Sequence, residues 1–277
     1  MQQRNDTITL MKAVAIMCMV AGHSLTKTPL EWFVGLFHMP VFFFCSGYCF
    51  KEKYLSDSKA YVIRKIKTIW WPTFKWIVVL VLLQNILLNI GVIREEDTNG
   101  LLVPYYAFKD YVKYILMGVI LHSHAPTFAG IWFLKMLLVA TIFGFFIIKY
   151  CKNLWFYVSL GVLLLLSIVM LQLLPGHYPI VDQVHLPFLS TFFFLVGYDF
   201  KRKDYLKKIS NDVRGVWTFL FCILMLVLGY NNWLSSMVFI NAFYCVPYSV
   251  SAIGGVIAVY LLAKSIQKVT PPYCCRT

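Results

Sequence analysis

Two histidines stand where the first two apolar segments of the chain meet. His23 lies between Gly22 and Ser24 at the end of the first segment, and His38 precedes Pro40 near the start of the second. Histidine changes charge near neutral pH, so an imidazole held by short-linked helices can act as a general acid, a general base or a nucleophile. A single interfacial histidine is often only a hydrogen-bonded surface group. The pair at one membrane face predicts a catalytic site.

Lys12 is the next candidate because it lies on the same predicted helix as His23. The two residues are eleven positions apart. At 100° per residue they return to within about 20° of one face, about 16 Å apart along the axis. A charged side chain inside a membrane span faces the bundle interior or a water-filled path. Lys12 and His23 therefore predict a polar stripe, although Lys12 could instead extend to the cytoplasmic headgroups.

The elements that must position these residues are membrane helices. The chain has 277 residues, of which 60% are hydrophobic and 13% charged, and its mean hydropathy is +0.72. Soluble domains carry about 25% charged residues. A further run at residues 111–121 is too short to span and is predicted to lie in the interface or to re-enter. The sequence predicts an all-α, polytopic transmembrane helical bundle of about eight spans, at residues 8–24, 33–50, 69–93, 130–149, 153–174, 185–200, 216–233 and 236–263.

The net charge of +13 follows from the predicted topology. Lysine and arginine concentrate in the segments after the second and sixth spans, whereas the opposite loops hold few. The positive-inside rule then places both termini in the cytoplasm. A basic cytoplasmic face attracts the anionic lipids of the bilayer and can also gather an anionic cytosolic ligand. Nucleic-acid binding is not expected, because topology already explains the charge.

Cysteine and histidine spacing does not predict a metal centre. Six of the eight cysteines lie in or at the ends of apolar helices, and no CxxC motif occurs, so the thiols are expected to behave as small hydrophobes. His122 and His124 have a metal-like spacing but no specified third ligand. No metal, disulfide framework or tightly bound cofactor is expected. No linker divides the chain, and residues 1–277 are predicted to form a single membrane domain.

Several motifs follow one another in a fixed order over residues 4–134. They are Arg4, Lys12 to Ile16, Gly22 to Ser24, Phe37 to Tyr48, the basic run Arg64 to Lys67 before Trp71 and Pro72, and Trp132 to Leu134. In this order they resemble the integral-membrane acyltransferase family 3, whose bacterial members include O-acetyltransferases of surface polysaccharides. The remainder of the chain agrees with the family mainly as a multi-span pattern.

The resemblance implies roles for individual residues. His23 matches the family's essential histidine and would be catalytic, either as a general base or as a carrier of the acyl group. The remaining matches are basic positions and motif residues that would bind substrate or support the site. They are Arg4, Lys12, His38, Ser46, Arg64, Lys67 and Trp132.

The resemblance also implies an activity and a location. The protein would be a membrane-bound O-acyltransferase, in the first place an O-acetyltransferase, with acetyl-CoA or another acyl-CoA as co-substrate. The acceptor would be a hydroxyl group of a sugar or cell-envelope glycan. The expected location is the bacterial inner (cytoplasmic) membrane, with the N-terminus in the cytoplasm.

Departures from the family's pattern leave other interpretations open. Thr9 stands where the family has an acidic residue, and Ala13 replaces a usual glycine. The family commonly has about ten spans, whereas about eight are predicted here, and residues 270–277 resemble a truncated end. The domain is therefore predicted to be incomplete at its C-terminus, and an inactive remnant is one alternative. A secondary transporter that uses Lys12, Lys135 and the histidines as a proton or solute pathway is another.

Overall fold

The computed structural model describes residues 6–24, 28–93, 103–120, 131–173, 184–209 and 240–269, together with residues 217, 220, 221, 223, 224, 227 and 237. All regular secondary structure within these ranges is helical, and no strand occurs among them. The prediction of an all-α membrane protein is therefore confirmed.

Eleven α-helices fall within the described ranges, and two 3₁₀-helices and one π-helical turn connect some of them. The short elements are the 3₁₀-helices Glu52–Ser56 and Ala242–Tyr244 and the π-helical turn Ile66–Trp70. The α-helices are α1 (Asp6–Ser24), α2 (Pro29–Gly35), α3 (His38–Tyr48), α4 (Ser58–Lys65), α5 (Trp71–Asn89), α6 (Phe108–Ile120), α7 (Ile131–Tyr150), α8 (Leu154–Leu173), α9 (Leu186–Arg202), α10 (Tyr205–Ile209) and α11 (Cys245–Val269).

Six helical segments of the described chain are long and apolar enough to cross a membrane. They are Asp6–Ser24, Pro29–Tyr48, Ser58–Asn89, Ile131–Tyr150, Leu154–Leu173 and Ala242–Gln267. Each corresponds to one predicted span. The predicted span 185–200 is the 17-residue helix α9, whereas most of the span predicted at 216–233 lies outside the described residues.

Helix α6 agrees with the expectation that the run at 111–121 does not span. It has 13 residues, and at 1.5 Å per residue it is about 20 Å long. It packs against α5 beside a small cluster formed by Ile77, Val81, Tyr106 and Ile131. This cluster is separate from the large core of the other helices.

The basic segment after α3 differs from the sequence prediction, which treated it as a loop. Residues Ser58–Asn89 form one helical segment of 32 residues, so Lys59, Arg64, Lys65 and Lys67 lie on helix. Asp57 begins the segment by accepting a hydrogen bond from the backbone N–H of Ala60 at 2.9 Å, which satisfies a donor of the first turn. The π-helical turn stands just before Pro72, whose nitrogen has no hydrogen to donate into the helix.

The second span is broken near its middle. Helix α2 ends at Gly35 and α3 begins at His38, whereas the sequence predicted one continuous span at residues 33–50. Pro40 lies in the first turn of α3. Proline is tolerated there because the first four N–H groups of a helix have no partner within it. His38 consequently stands at the break inside the segment Pro29–Tyr48, and not at its outer end.

Among the described helices, α3 and α9 form the most extensive contact. A Cβ atom added at Gly47 would collide with the backbone carbonyl of Phe194, and one added at Gly197 would collide with the backbone carbonyl of Phe44. Each helix thus uses a glycine to admit the backbone of the other, as small residues do in membrane helix pairs. Helix α1 packs on the opposite side, against α3 and α11, so α3 is held from two directions.

Candidate active site

A cavity of about 400 Å³ lies among α1, α3, α4 and α7. Helix α1 contributes one lining residue, α3 and the turn after it contribute four, and the 3₁₀-helix contributes one. Helices α4 and α7 contribute two each. The lining residues are Lys12, Phe42, Ser46, Cys49, Phe50, Tyr54, Tyr61, Lys65, Phe133 and Leu137.

The charge of this cavity is positive. Lys12 and Lys65 both line it, and they interact electrostatically with each other. Arg64 adds a third positive charge that acts on Lys65. None of the described residues lining the cavity is acidic. Like charges held near one another in a partly enclosed space favour an anion between them, because the anion offsets their mutual repulsion.

Aromatic rings hold the cationic groups in place. The Tyr61 ring stacks on Phe145 with 4.5 Å between centroids, and the Tyr61 hydroxyl donates a hydrogen bond to the Thr141 carbonyl at 3.3 Å. The Lys65 ammonium lies 5.5 Å from the centroid of the Tyr61 ring, within cation–π range. A fixed ring therefore restricts where the Lys65 charge can stand.

Arg64 reaches the cavity through Tyr54. Its Nη1 atom donates to the Tyr54 hydroxyl at 3.1 Å, and its guanidinium carbon lies 5.3 Å from the Tyr54 ring centroid. The backbone carbonyl of Phe50 accepts a hydrogen bond from Lys201 at 2.6 Å, which ties the turn before Tyr54 to the end of α9. Arg64 therefore positions a cavity residue and does not itself line the cavity.

Further positive charge surrounds this end of the bundle. Lys203 follows α9, and hydrogen bonds to Tyr157 and Tyr205 raise the pKa of its ammonium group. Lys149, at the end of α7, donates to the Ser58 hydroxyl at 2.6 Å. We call the end of the bundle where α1 begins and where α3, α7 and α9 end the basic end.

Helix α1 places Lys12 and His23 near one face, and α3 packs against it. Helix α1 is continuous from Asp6 to Ser24, so the angular relation between Lys12 and His23 holds in the structure. On α3, His38, Phe42 and Ser46 follow one another at intervals of four residues and share one face. Lys12 lies near Cys45 and His23 near His38, so α1 and α3 run antiparallel.

His38 is the better fixed of the two imidazoles. Its Nδ1 lies 2.7 Å from the backbone carbonyl of Val34, which also accepts a hydrogen bond from the backbone N–H of Phe37 at 3.2 Å. Since a carbonyl can only accept, Nδ1 carries the hydrogen, and in the neutral ring Nε2 keeps its lone pair. His38 is half-buried, whereas His23 is exposed near the end of α1. We call this pair the histidine end.

The residues predicted from the sequence divide between the two ends. Lys12 and Ser46 line the cavity, and the Trp132 ring contacts the cavity residue Phe133 at 6.4 Å between centroids. His23 and His38 stand together at the other end, and neither lines the cavity. Lys67 is exposed on the π-helical turn and does not line it either. Arg4, His122, His124 and residues 270–277 lie outside the described residues.

The sequence analysis did not select Lys65, Tyr61, Tyr54 or Cys49 as site residues. Tyr61 and Lys65 are four residues apart on α4, a spacing that would have paired them had the segment been recognised as helical. Tyr54 has no comparable signal, because the 3₁₀-helix and the turn after α3 place it at the cavity.

No cluster of three or more histidine, cysteine, aspartate or glutamate side chains suited to a metal ion occurs among the described residues. The chemistry offered by the described cavity and histidines is therefore that of cations, hydroxyls, a thiol and imidazoles. An anionic ligand fits the basic end, and proton transfer or nucleophilic attack fits the histidine end.

Comparison with protein families gives this geometry its context. The family model for acyltransferase family 3, described as an acyltransferase domain, matches residues 5–272. No curated protein matches the chain significantly. No solved structure matches it significantly. The family model covers nearly all of the chain, and the described residues include six apolar helices of spanning length. This multi-pass membrane protein is therefore an acyltransferase and belongs to acyltransferase family 3.

Proposed function

We propose that the protein is a membrane-bound O-acyltransferase that moves an acyl group, in the first place acetyl, from acyl-CoA to a hydroxyl of a sugar or cell-envelope glycan. The observation that carries this proposal is the cavity at the basic end, where Lys12 and Lys65 stand with no acidic residue among the described lining residues. The proposal is otherwise based on the family assignment and on the stripe that leads to His23.

The donor side follows from charge. Coenzyme A carries phosphates, which two lysines and a nearby arginine attract. Under the positive-inside rule the basic end faces the cytoplasm of a bacterial inner membrane, where acyl-CoA is available. The aromatic walls formed by Phe50, Tyr54 and Tyr61 suit the less polar parts of such a donor. No tightly bound cofactor is required, because acyl-CoA is consumed as a co-substrate.

The acceptor side follows from His23. An exposed imidazole at the far end of α1 suits a polar acceptor that approaches from outside the bundle. As general base, His23 takes the proton of the sugar hydroxyl while the oxygen attacks the thioester carbonyl. The carbon–sulfur bond breaks, coenzyme A leaves as a thiolate that then takes up a proton, and an ester remains on the sugar. If His23 instead carries the acyl group, the same bonds change in two steps.

The stripe connects the two sides. Lys12 and His23 are separated by about 16 Å along α1, so the thioester must extend from the basic end toward the histidines, or the acyl group must be passed on. His38 would position the acceptor or orient His23. Ser46 would contact the donor within the cavity.

A genetic experiment tests the proposal as a whole. The gene is deleted in its host, and ester-linked acetate is released from the surface glycan with alkali and quantified. We expect deletion to abolish one class of acetate ester. The wild-type gene should restore it, whereas His23→Ala should not. Lys59→Met should restore the ester as the wild type does, because Lys59 is exposed and does not line the cavity.

The outcome that would overturn the proposal is unchanged glycan acetylation after deletion, together with solute uptake by the purified protein in proteoliposomes. That result would favour the transporter alternative. Unchanged glycan acetylation after deletion, with no solute uptake by the purified protein, would favour the inactive remnant.

A donor-binding experiment is independent of the acceptor. Cys49 is exposed and lines the cavity, so a maleimide should modify it in membranes. Acetyl-CoA should slow this modification, and adenosine without phosphates should not. The Cys49→Ser variant identifies the labelling due to the other cysteines. Equal labelling rates with and without acetyl-CoA would contradict the placement of the donor in this cavity.

A further inference from the structure

Two phenylalanines line the cavity on the side that faces the histidines. Among the lining residues of α3, Phe42 is the closest to His38, which stands one helical turn before it. On α7, Phe133 is the lining residue closest to the helix start. The two rings contact each other with 5.3 Å between centroids. We call them the aromatic barrier.

The barrier is supported by its neighbours. The Phe133 ring also contacts Phe43, at 5.4 Å between centroids, and Phe43 is fully buried. On the other side Trp132 packs edge-on against Phe133. A ring held by three aromatic neighbours has little freedom to move aside, since close-packed side chains leave few empty spaces. This side of the cavity therefore has a defined shape.

The chemical character of the cavity changes along its length. Lys65, Cys49 and Tyr54 line one part, whereas Phe42, Phe133 and Leu137 form an apolar group at the other. An acyl-CoA bound with its phosphates near the lysines would direct its acyl chain toward this apolar group. The acyl chain is the part of the donor that varies in length, and its end would contact the aromatic barrier.

We infer that the aromatic barrier, and Phe133 above all, limits the length of the acyl chain that the enzyme transfers. The inference rests on the proposed use of acyl-CoA and deepens it. A short acyl group fits beside the rings, whereas each added methylene would have to displace a supported phenylalanine. Removing the ring opens space in which each further methylene is buried, a gain of about fourfold in binding per methylene.

The test compares donors of different length in membranes from the expressing strain, which carry its own glycan acceptor. Free coenzyme A thiol and acylated glycan are measured with acetyl-CoA, butyryl-CoA and hexanoyl-CoA. We expect the wild type to favour acetyl-CoA. Phe133→Ala should raise the ratio of kcat/KM for hexanoyl-CoA to that for acetyl-CoA by tenfold or more, on the order of the discrimination that pocket methylenes give.

Matched variants separate a change of pocket shape from a general loss of stability. Phe143→Ala removes a ring of the same helix that is 46% exposed and does not line the cavity, and it should leave the ratio unchanged. Phe133→Leu keeps an apolar side chain and should give an intermediate ratio. This variant also tests the inference if Phe133→Ala fails to fold. Leu137→Ala enlarges the same apolar part and should shift the ratio in the same direction.

The results distinguish this inference from the proposed function. If the wild type uses acetyl-CoA and the ratio stays constant in Phe133→Ala, Phe133→Leu and Leu137→Ala, the barrier does not set chain length and the donor proposal stands. If the wild type turns over no acyl-CoA of any length while the genetic experiment is also negative, both proposals are overturned.

Discussion

The two ends of the α1–α3 pair are built on different principles. At the basic end, Lys12 and Lys65 stand in a cavity with aromatic walls, and rings and hydrogen bonds restrict the groups around them. At the histidine end, His23 is exposed, and His38 alone is fixed, by the carbonyl of Val34. Enclosure strengthens the attraction for a small charged group. Exposure leaves room for a large acceptor.

This difference teaches that donor and acceptor recognition can be separated along one helix. A donor with a fixed charged group gains affinity from preorganised cations. A glycan presents many similar hydroxyls and has to approach a catalytic group from outside. The comparison predicts that substitutions at one end change binding of the donor, whereas those at the other end change the transfer step.

The largest expected effect is at His23. His23→Ala should lower the rate of transfer by about 10²- to 10⁴-fold, the usual contribution of a general acid or base. Protection of Cys49 by acetyl-CoA should be unchanged, because His23 does not line the cavity. Transfer at the normal rate in a well-expressed His23→Ala protein would remove His23 from catalysis.

The next effect is expected at Lys65. Lys65→Met should weaken binding of the donor by about 10- to 100-fold, since a hydrogen bond to a charged group contributes about 1.5–3 kcal/mol. The loss should appear in KM for acyl-CoA and largely vanish at saturating donor. Lys59→Met, on the same helix but outside the cavity, should behave as wild type. A fall in kcat alone in Lys65→Met would break the proposed division between the two ends.

A smaller effect is expected at His38. His38→Ala loses the hydrogen bond to Val34 and should cost about tenfold in transfer, in line with roughly 0.5–1.5 kcal/mol for such a bond. His38→Asn can still donate from its side-chain amide at nearly the same place. If Asn restores most of the rate, His38 positions the helix break. If Asn is as impaired as Ala, the ring's Nε2 acts directly on a substrate.

The smallest effect is expected at Tyr54. Tyr54→Phe removes the hydroxyl that accepts a hydrogen bond from Arg64 at 3.1 Å but keeps the ring. An exposed charged contact of this kind contributes up to about 1 kcal/mol, so KM for the donor should rise by less than about fivefold. A larger rise would show that the hydroxyl contacts the donor itself.

The histidine–lysine stripe could be predicted from the sequence because it depends only on helical periodicity. Residues 12 and 23 share a face in any continuous helix, and the apolar composition demanded helices. The family motifs led to Ser46 and His38 without any coordinates. The all-α class and six of the predicted spans followed from the lengths of the apolar runs.

The cavity could not be predicted in the same way. Lys65 reaches it because the helix begins at Ser58, after the capping residue Asp57, and runs through a basic segment whose composition is typical of a loop. Tyr54 depends on a 3₁₀-helix after α3, and His38 on a break near Leu36. These are matters of tertiary packing and local capping, which override propensity at short elements.

The reciprocal glycines of α3 and α9 have a consequence for how substrates enter. Because each backbone packs against a glycine of the partner, no side chains separate the two helices at these points. The two helices should therefore move as one rigid unit, because their close packing resists sliding or separation. Helix α7 is held against α9 in a similar way, because Gly144 admits the Phe194 ring. Opening of the cavity must then come from α1 and α4, with α3, α7 and α9 as the fixed frame.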